Sequence, residues 1–227
     1  MSNKPSNFAA IQLLHTSRPY EQATRQTLEE YVKTQCTEAT YDFEANKALI
    51  KNYQCFPEHF DADVCAKVLA LSLMRLPLTD LLALTSLVPS QKVAGNPKIK
   101  FIEKCNTLLE SGKYEEFWAE CTSGRTFIDS IGVNGFCDAI RQYIANTVRS
   151  TFRNMSRDQF QSMIGLSGKE LDSFCASCSS IEESKGDLIT LSPCSENQVR
   201  MKHFEGSLRF DEVLRLVNSI RKADSYC

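Results

Sequence analysis

From Tyr20 to about Phe152 apolar side chains return every three or four residues, block after block, with short turns between the blocks. That is the period of an α-helix with one face to bury. Tyr20 to Lys33 carries Leu28, Tyr31 and Val32 on one side, and Phe43 to Tyr53 repeats Ala45, Leu49 and Tyr53 with Ile50 beside them. Pro57 closes this second helix. Asp61 or Asp63 can cap a third that runs to Arg75 with Val64, Val68, Leu71 and Met74 inward, and Pro77 then starts a short fourth that ends before Pro89. This pair reads as the most buried part of the chain. After the loop SQKVAGNPK, Ile99 to Glu110 forms a fifth helix with a C-cap signal at Ser111-Gly112, and Tyr114 to Cys121 a sixth that holds the only tryptophan. Nine glycines and seven prolines in 227 residues are too few for an all-β chain of many tight turns. Helices in pairs with short links imply a right-handed stack of hairpins of the TPR or HEAT kind, without a fixed sequence period.

After Gly124 and Gly135 the pattern changes. Phe136 to Arg153 reads as a long helix with Ile140, Tyr143, Ile144, Val148 and Phe152 on one side. Ser156 with Gln159, and Ser167 with Glu170, look like two capping boxes that open the short helices Arg157 to Ile164 and Gly168 to Ser179. Around Gly165-Leu166 these make a helix-turn-helix. Leu188, Thr190 and Leu191 in ESKGDLITLSP, and Val199, Met201 and His203 in QVRMKHF, predict the two strands of a wing. An amphipathic helix from Arg209 to Lys222 ends the chain. The expected fold is therefore mostly all-α: a helical-repeat domain over 1–133, then a winged-helix domain over 134–227 with a small β-hairpin and a C-terminal helix.

Charge and motifs narrow the function by exclusion. A net charge of −2 and a pI near 6 give no pull toward a polyanion, whereas nucleic-acid modules usually have a pI above roughly 9. Residues 134–227 hold as many basic as acidic side chains, and the second helix of the helix-turn-helix carries Glu170 and Asp172 beside Lys169. Nucleic-acid binding would fall to Arg200, Lys202 and His203 on the wing, which leaves a winged-helix regulator as the competing reading. Ten cysteines without a signal peptide read as reduced thiols of a cytosolic protein. Cys175 and Cys178 form a single C-x-x-C inside a helix, with no second pair to complete a zinc site. His15, His59 and His203 are scattered, and Walker A, G-x-G-x-x-G, G-x-S-x-G and H-E-x-x-H are absent. No residue is a candidate for catalysis, for a cofactor or for a metal. Asn154-Met155-Ser156 matches a glycosylation sequon but is read as a capping serine. Trp118, with Phe117 and Tyr114, is read as core. The apolar run from Val64 to Leu87 is broken by Lys67, Arg75, Pro77 and Asp80, so it is a buried helix pair and not a membrane span.

A helical-hairpin stack that runs into a winged helix is the plan of PCI domains. The stretch LEEYVKTQCTEATYDFEANKALIKNYQCFP, Leu28 to Pro57, resembles the most recognisable segment of the k-subunit family of eukaryotic translation initiation factor 3, where an LERYV-like helix precedes YDLEAN and a Lys-x-Tyr-Gln helix end. Leu76-Pro77-Leu78-Thr79-Asp80, Phe117-Trp118, and Gly135-Phe136 opening the helix through Ile140-Arg141 match as well, and the resemblance spans about residues 18 to 180. It implies a cytoplasmic, non-enzymatic subunit that docks on the l subunit and neighbouring PCI subunits and reaches the small ribosomal subunit through the complex. It implies no membrane association, weak direct RNA contact at most, and no catalytic residue.

The terminal helix presents Phe210, Val213, Leu214, Val217 and Ile220 on one face, and these are the expected partner-binding residues, with an edge strand of the wing beside them. The long helix from Phe136 has apolar residues enough to join both halves in one core. Limited proteolysis is accordingly expected to cut the loop from Gln91 to Pro97, or the wing, before the 124 to 135 junction; early release of two stable halves at that junction would contradict a shared core.

Overall fold

The structure is a computed structural model that describes residues 7–17, 21–89, 95–185, 187–198 and 209–224. Residues 1–197 form one compact unit and 198–227 a second. The chain is mostly helical with a small three-stranded sheet. The boundary expected after residue 133 lies inside the first unit.

That unit begins with α1 (Phe8–Ser17), ahead of the helices read from the sequence, and α2 (Gln22–Glu38), which runs five residues past Lys33. Asp42 starts α3 (Phe43–Cys55) by accepting the Ala45 N–H, and Asp61 starts α4 (Ala62–Leu73) by accepting from Asp63 and Val64. Pro77 does not open the next helix: tight turns through Leu76 and Leu78 use up the chain to Thr79, and α5 is Asp80–Leu87. Asn96 caps α6 (Pro97–Glu110), with Pro97 in the first turn where its missing N–H costs nothing. α7 is Tyr114–Ser123 and α8 is Arg125–Ile131, a helix where the sequence suggests only a junction. Gly124, between them, ends α7 and also marks a close approach, since a Cβ there would lie 2.5 Å from the Phe101 ring.

α2 packs on α3 and α4, α3 on α5, and α4 on α5, α6 and α8. The central α4 therefore has neighbours all round, which is why Val64, Cys65, Ala66 and every residue from Val68 to Leu73 are buried. A helix buried on every side but the strip of Asp63 and Lys67 has its stable place in the middle of the stack.

The α2–α3 hairpin carries a buried polar core of its own. Gln35 Nε2 donates to Asn46 Oδ1 at 3.0 Å, and Asn46 Nδ2 returns a bond to Gln35 Oε1 at 3.1 Å. Gln35 Oε1 also takes the Asp42 N–H at 3.0 Å, while the Tyr31 hydroxyl donates to Asp42 at 3.2 Å. The YDFEAN stretch is thus a turn-and-cap device whose Asp42 and Asn46 both answer to α2. Farther along, the N–H of Asn134 bonds the Cys36 carbonyl and its side-chain amide the Thr37 carbonyl, which closes the open end of α2 from a loop nearly a hundred residues away.

α9 (Phe136–Thr151) enters the winged helix with Ile140, Ile144, Ala145 and Val148 buried; Tyr143 is only partly buried, and Phe152 lies beyond the helix end, 43% exposed, rather than on its inward stripe. β1 (Asn154–Ser156), α10 (Arg157–Ile164), α11 (Gly168–Ser177), β2 (Ile181–Lys185) and β3 (Leu188–Leu191) follow. Ser156 caps α10 as expected, whereas Ser167 makes no capping bond and Gly168 turns into α11 with φ +57. The wing also differs from the sequence reading. Its strands are β2 and β3, and β3 is the centre of an antiparallel sheet in the order β1-β3-β2, with Ile189 opposite both Met155 and Ser184. β3 thus has a partner on each side; of the expected strand QVRMKHF, Val199, Met201 and His203 lie outside the described residues.

One seam joins the repeat stack to the winged helix. Trp118 on α7 is only partly buried, not sunk in the core, because its indole N–H donates to the Met163 carbonyl of α10 at 2.8 Å. Arg141 of α9 stacks on its ring at 5.1 Å, and Gly165, at φ +66, approaches so closely that a Cβ would sit 2.7 Å from the indole. One continuous core, from Ile11 to Leu191, includes both halves. Trp118→Ala is expected to cost about 3 kcal/mol and Gly165→Ala a similar amount, from steric overlap plus a left-handed backbone; thermal and urea unfolding of both variants measure this, and a neutral Gly165→Ala would remove the seam from the stability account. Asn46→Leu is expected to cost about 2 to 4 kcal/mol by leaving Gln35 without its amide partner. The Gln35→Leu/Asn46→Leu double variant should lose less than the sum of the two single changes, as a double-mutant cycle would read out.

Candidate partner-binding surfaces

The helix-turn-helix has the shape of a nucleic-acid reader without its charge. Lys169, Glu170 and Asp172 are all exposed on α11, and Arg157 of α10 is committed to an ion pair with Asp172. Arg200, Lys202 and His203 lie outside the described residues. With Asp172 paired to Arg157, and Lys169 set beside Glu170, this face carries no net positive charge to draw a phosphate backbone.

Cysteine chemistry is equally muted. The nine cysteines among the described residues are free thiols, with Cys175 and Cys178 both buried. Burial pushes the Cys36 thiol up to about 11, and burial together with Asp61 takes Cys65 to about 12. A hydrogen bond with Cys105, and then burial, raises Cys121 further. Such thiols stay protonated at neutral pH and pack as small apolar groups. Among the described residues no group of three or more His, Cys, Asp or Glu side chains could hold a metal ion. His59 is exposed beside Glu58, and the side chains of His15 and His203 lie outside the described residues.

Interaction surface is better supplied. The sheet has two outer edges, β1 and β2; β2 carries a register shift between Ile181 and Glu183 that bends its edge. After β3 the chain is pinned against the end of α9. Arg149 donates to the Ser192 and Pro193 carbonyls at 3.2 and 3.0 Å, and the Asn197 amide donates to the Arg149 carbonyl at 3.0 Å. The first unit therefore ends at a fixed point.

In the second unit the described residues beyond Arg209 form one helix, α12 (Phe210–Asp224). Phe210 is 77% exposed, and Val213, Leu214 and Val217 are exposed as well; the side chain of Ile220 lies outside the described residues, although its backbone is helical. Leu216, 64% exposed, flanks this stripe and was not among the residues expected from the sequence, although its position four before Ile220 places it beside the same face. At 100° per residue the apolar side chains cover a wider arc than the roughly 100° that one flat contact uses. Among the described residues no helix is long and apolar enough to cross a membrane.

Comparison with known proteins gives this architecture relatives. Residues 59–198 match the model of the CSN8/PSMD8/EIF3K family. The chain is similar to eukaryotic translation initiation factor 3 subunit K of Xenopus laevis, 32% identical over 194 residues that cover 85% of this chain and 87% of the relative. The subunit K of Homo sapiens is 29% identical over the same shares, and that of Dictyostelium discoideum 34% over 66% of this chain and 59% of its own. The matched residues run from the start of α4 through the winged helix to the pinned end of the first unit, and so the chain belongs to the CSN8/PSMD8/EIF3K family.

Proposed function

We propose that this chain is a non-enzymatic scaffold subunit of eukaryotic translation initiation factor 3, working in the cytoplasm by holding other subunits. It docks on the l subunit and neighbouring PCI subunits, and through the assembled factor it supports formation of the preinitiation complex on the small ribosomal subunit. Residues 1–133 act as the helical-repeat spacer, and residues 134–227 as the winged-helix and C-terminal docking part. The supporting observation is the pairing of relatives named subunit K with a terminal helix whose apolar side chains are exposed.

The mechanism is binding energy. Strand addition at a sheet edge supplies backbone hydrogen bonds with little demand on sequence. The terminal helix supplies selectivity, because interface energy concentrates in a few apolar anchors, here Phe210, Val213, Leu214, Val217 and Ile220. An arc this wide suits a bundle of several helices better than a single partner helix. Truncation at Ser207 is expected to leave a soluble folded chain that no longer co-purifies with the other subunits; unchanged co-purification would overturn the role of the helix, and an insoluble product would mean that it covers its own winged helix. The wild-type association should change little between 50 and 200 mM salt, whereas a nucleic-acid regulator with six to ten phosphate contacts would lose about 10³ to 10⁵ in affinity over that range.

A further inference from the structure

A cleft of about 220 Å³ lies in the first unit where three separate pieces of chain meet: the α2–α3 connection with Thr40 and Tyr41, the end of α4 with Leu71, Met74 and Arg75, and the start of α9 at Gly135. Its polar groups include the N-terminus of α9, the Arg75 guanidinium and the Thr40 hydroxyl. α9 begins at Gly135, φ +73, without any side-chain cap, so the N–H groups of its first turn have no side-chain acceptor. Arg75 is exposed, and its guanidinium lies over the Tyr41 ring at 5.6 Å, a stacking that holds the charge at the rim. Thr40 is 5% exposed, yet its hydroxyl has no hydrogen-bond partner, an uncommon state for a buried polar atom. Of the neighbouring acids, Asp42 caps α3 and accepts from Tyr31, and Asp138 is held by Arg141 at 2.9 Å; Asp80 lies near the Tyr41 hydroxyl, which like that of Thr40 has no hydrogen-bond partner. Leu71, Met74 and Ala139 add apolar wall.

A guanidinium, a helix N-terminus and an unsatisfied hydroxyl beside an apolar wall suit a carboxylate on a short apolar stem. We infer that this cleft receives an acidic side chain of a protein partner, with the carboxylate between Arg75 and the first turn of α9. The inference rests on the scaffold reading only for who carries the carboxylate; the cleft itself is testable on the isolated full chain. N-acetyl-glutamate titrated at constant ionic strength and followed by backbone amide NMR should give saturable shifts at Gly135 to Ala139, and N-acetyl-glutamine should not. Arg75→Gln, a surface change that leaves the rest of the spectrum in place, should weaken the effect at least tenfold, and Thr40→Val several-fold. Equal shifts from both compounds, no saturation, or an unaltered titration of Arg75→Gln would each overturn the site. Inorganic phosphate that binds more tightly than N-acetyl-glutamate would overturn the choice of carboxylate. A chain that joins its partner subunits normally while giving no saturable shift would overturn this inference and leave the scaffold reading intact.

Discussion

Apart from Asp63 and Lys67, α4 is buried on every side and must be enclosed, and it is enclosed by α2, α5, α6 and α8. Everything else in the first unit follows from that requirement. α2 and α6 have amphipathic stripes whose buried sides meet α4, and their outward sides carry the charges that keep the surface wet. Burial of this kind is non-directional, so it explains why the chain collapses around α4 without explaining why it does so in one register.

Register comes from the few buried polar groups. The reciprocal Gln35–Asn46 pair can form only when α2 and α3 lie at one height, and the Asp42 N–H shares the same acceptor. Asn134 then binds the carbonyls at the end of α2, and Trp118 the carbonyl of Met163. Each bond contributes only about 1 kcal/mol net, but a slip would strand a buried donor or acceptor at a cost of about 1 to 3 kcal/mol. The hydrophobic contacts supply most of the driving force and these bonds select the geometry.

The same economy bears on function. The winged helix pairs Asp172 of its second helix with Arg157 and buries Cys175 and Cys178. It leaves two outer sheet edges and a pinned exit at Asn197, and the terminal helix exposes an apolar stripe; these are the surfaces on which the proposed scaffold role rests.

The helices of the repeat stack were legible in the sequence because helical period, capping aspartates and helix-ending glycines act over a few residues: Asp42, Asp61 and Gly112 stand where a local rule puts them. The apolar stripe of α12 was legible for the same reason. What local rules could not reach was decided by tertiary contact. Gly124 ends α7 but is also a contact with Phe101, and Trp118 packs on the core while spanning a seam. β1 is three residues long, too short to show alternation, and takes the edge of β3 that β2 leaves open. The cleft at Arg75 draws on residues 40, 75 and 135, whose proximity no window of sequence contains. Sequence alone determined most of the helices and the faces they bury, though not α1 or α8, because those depend on neighbours along the chain; pairing, seams and clefts depend on neighbours in space, and only the folded structure brought them together.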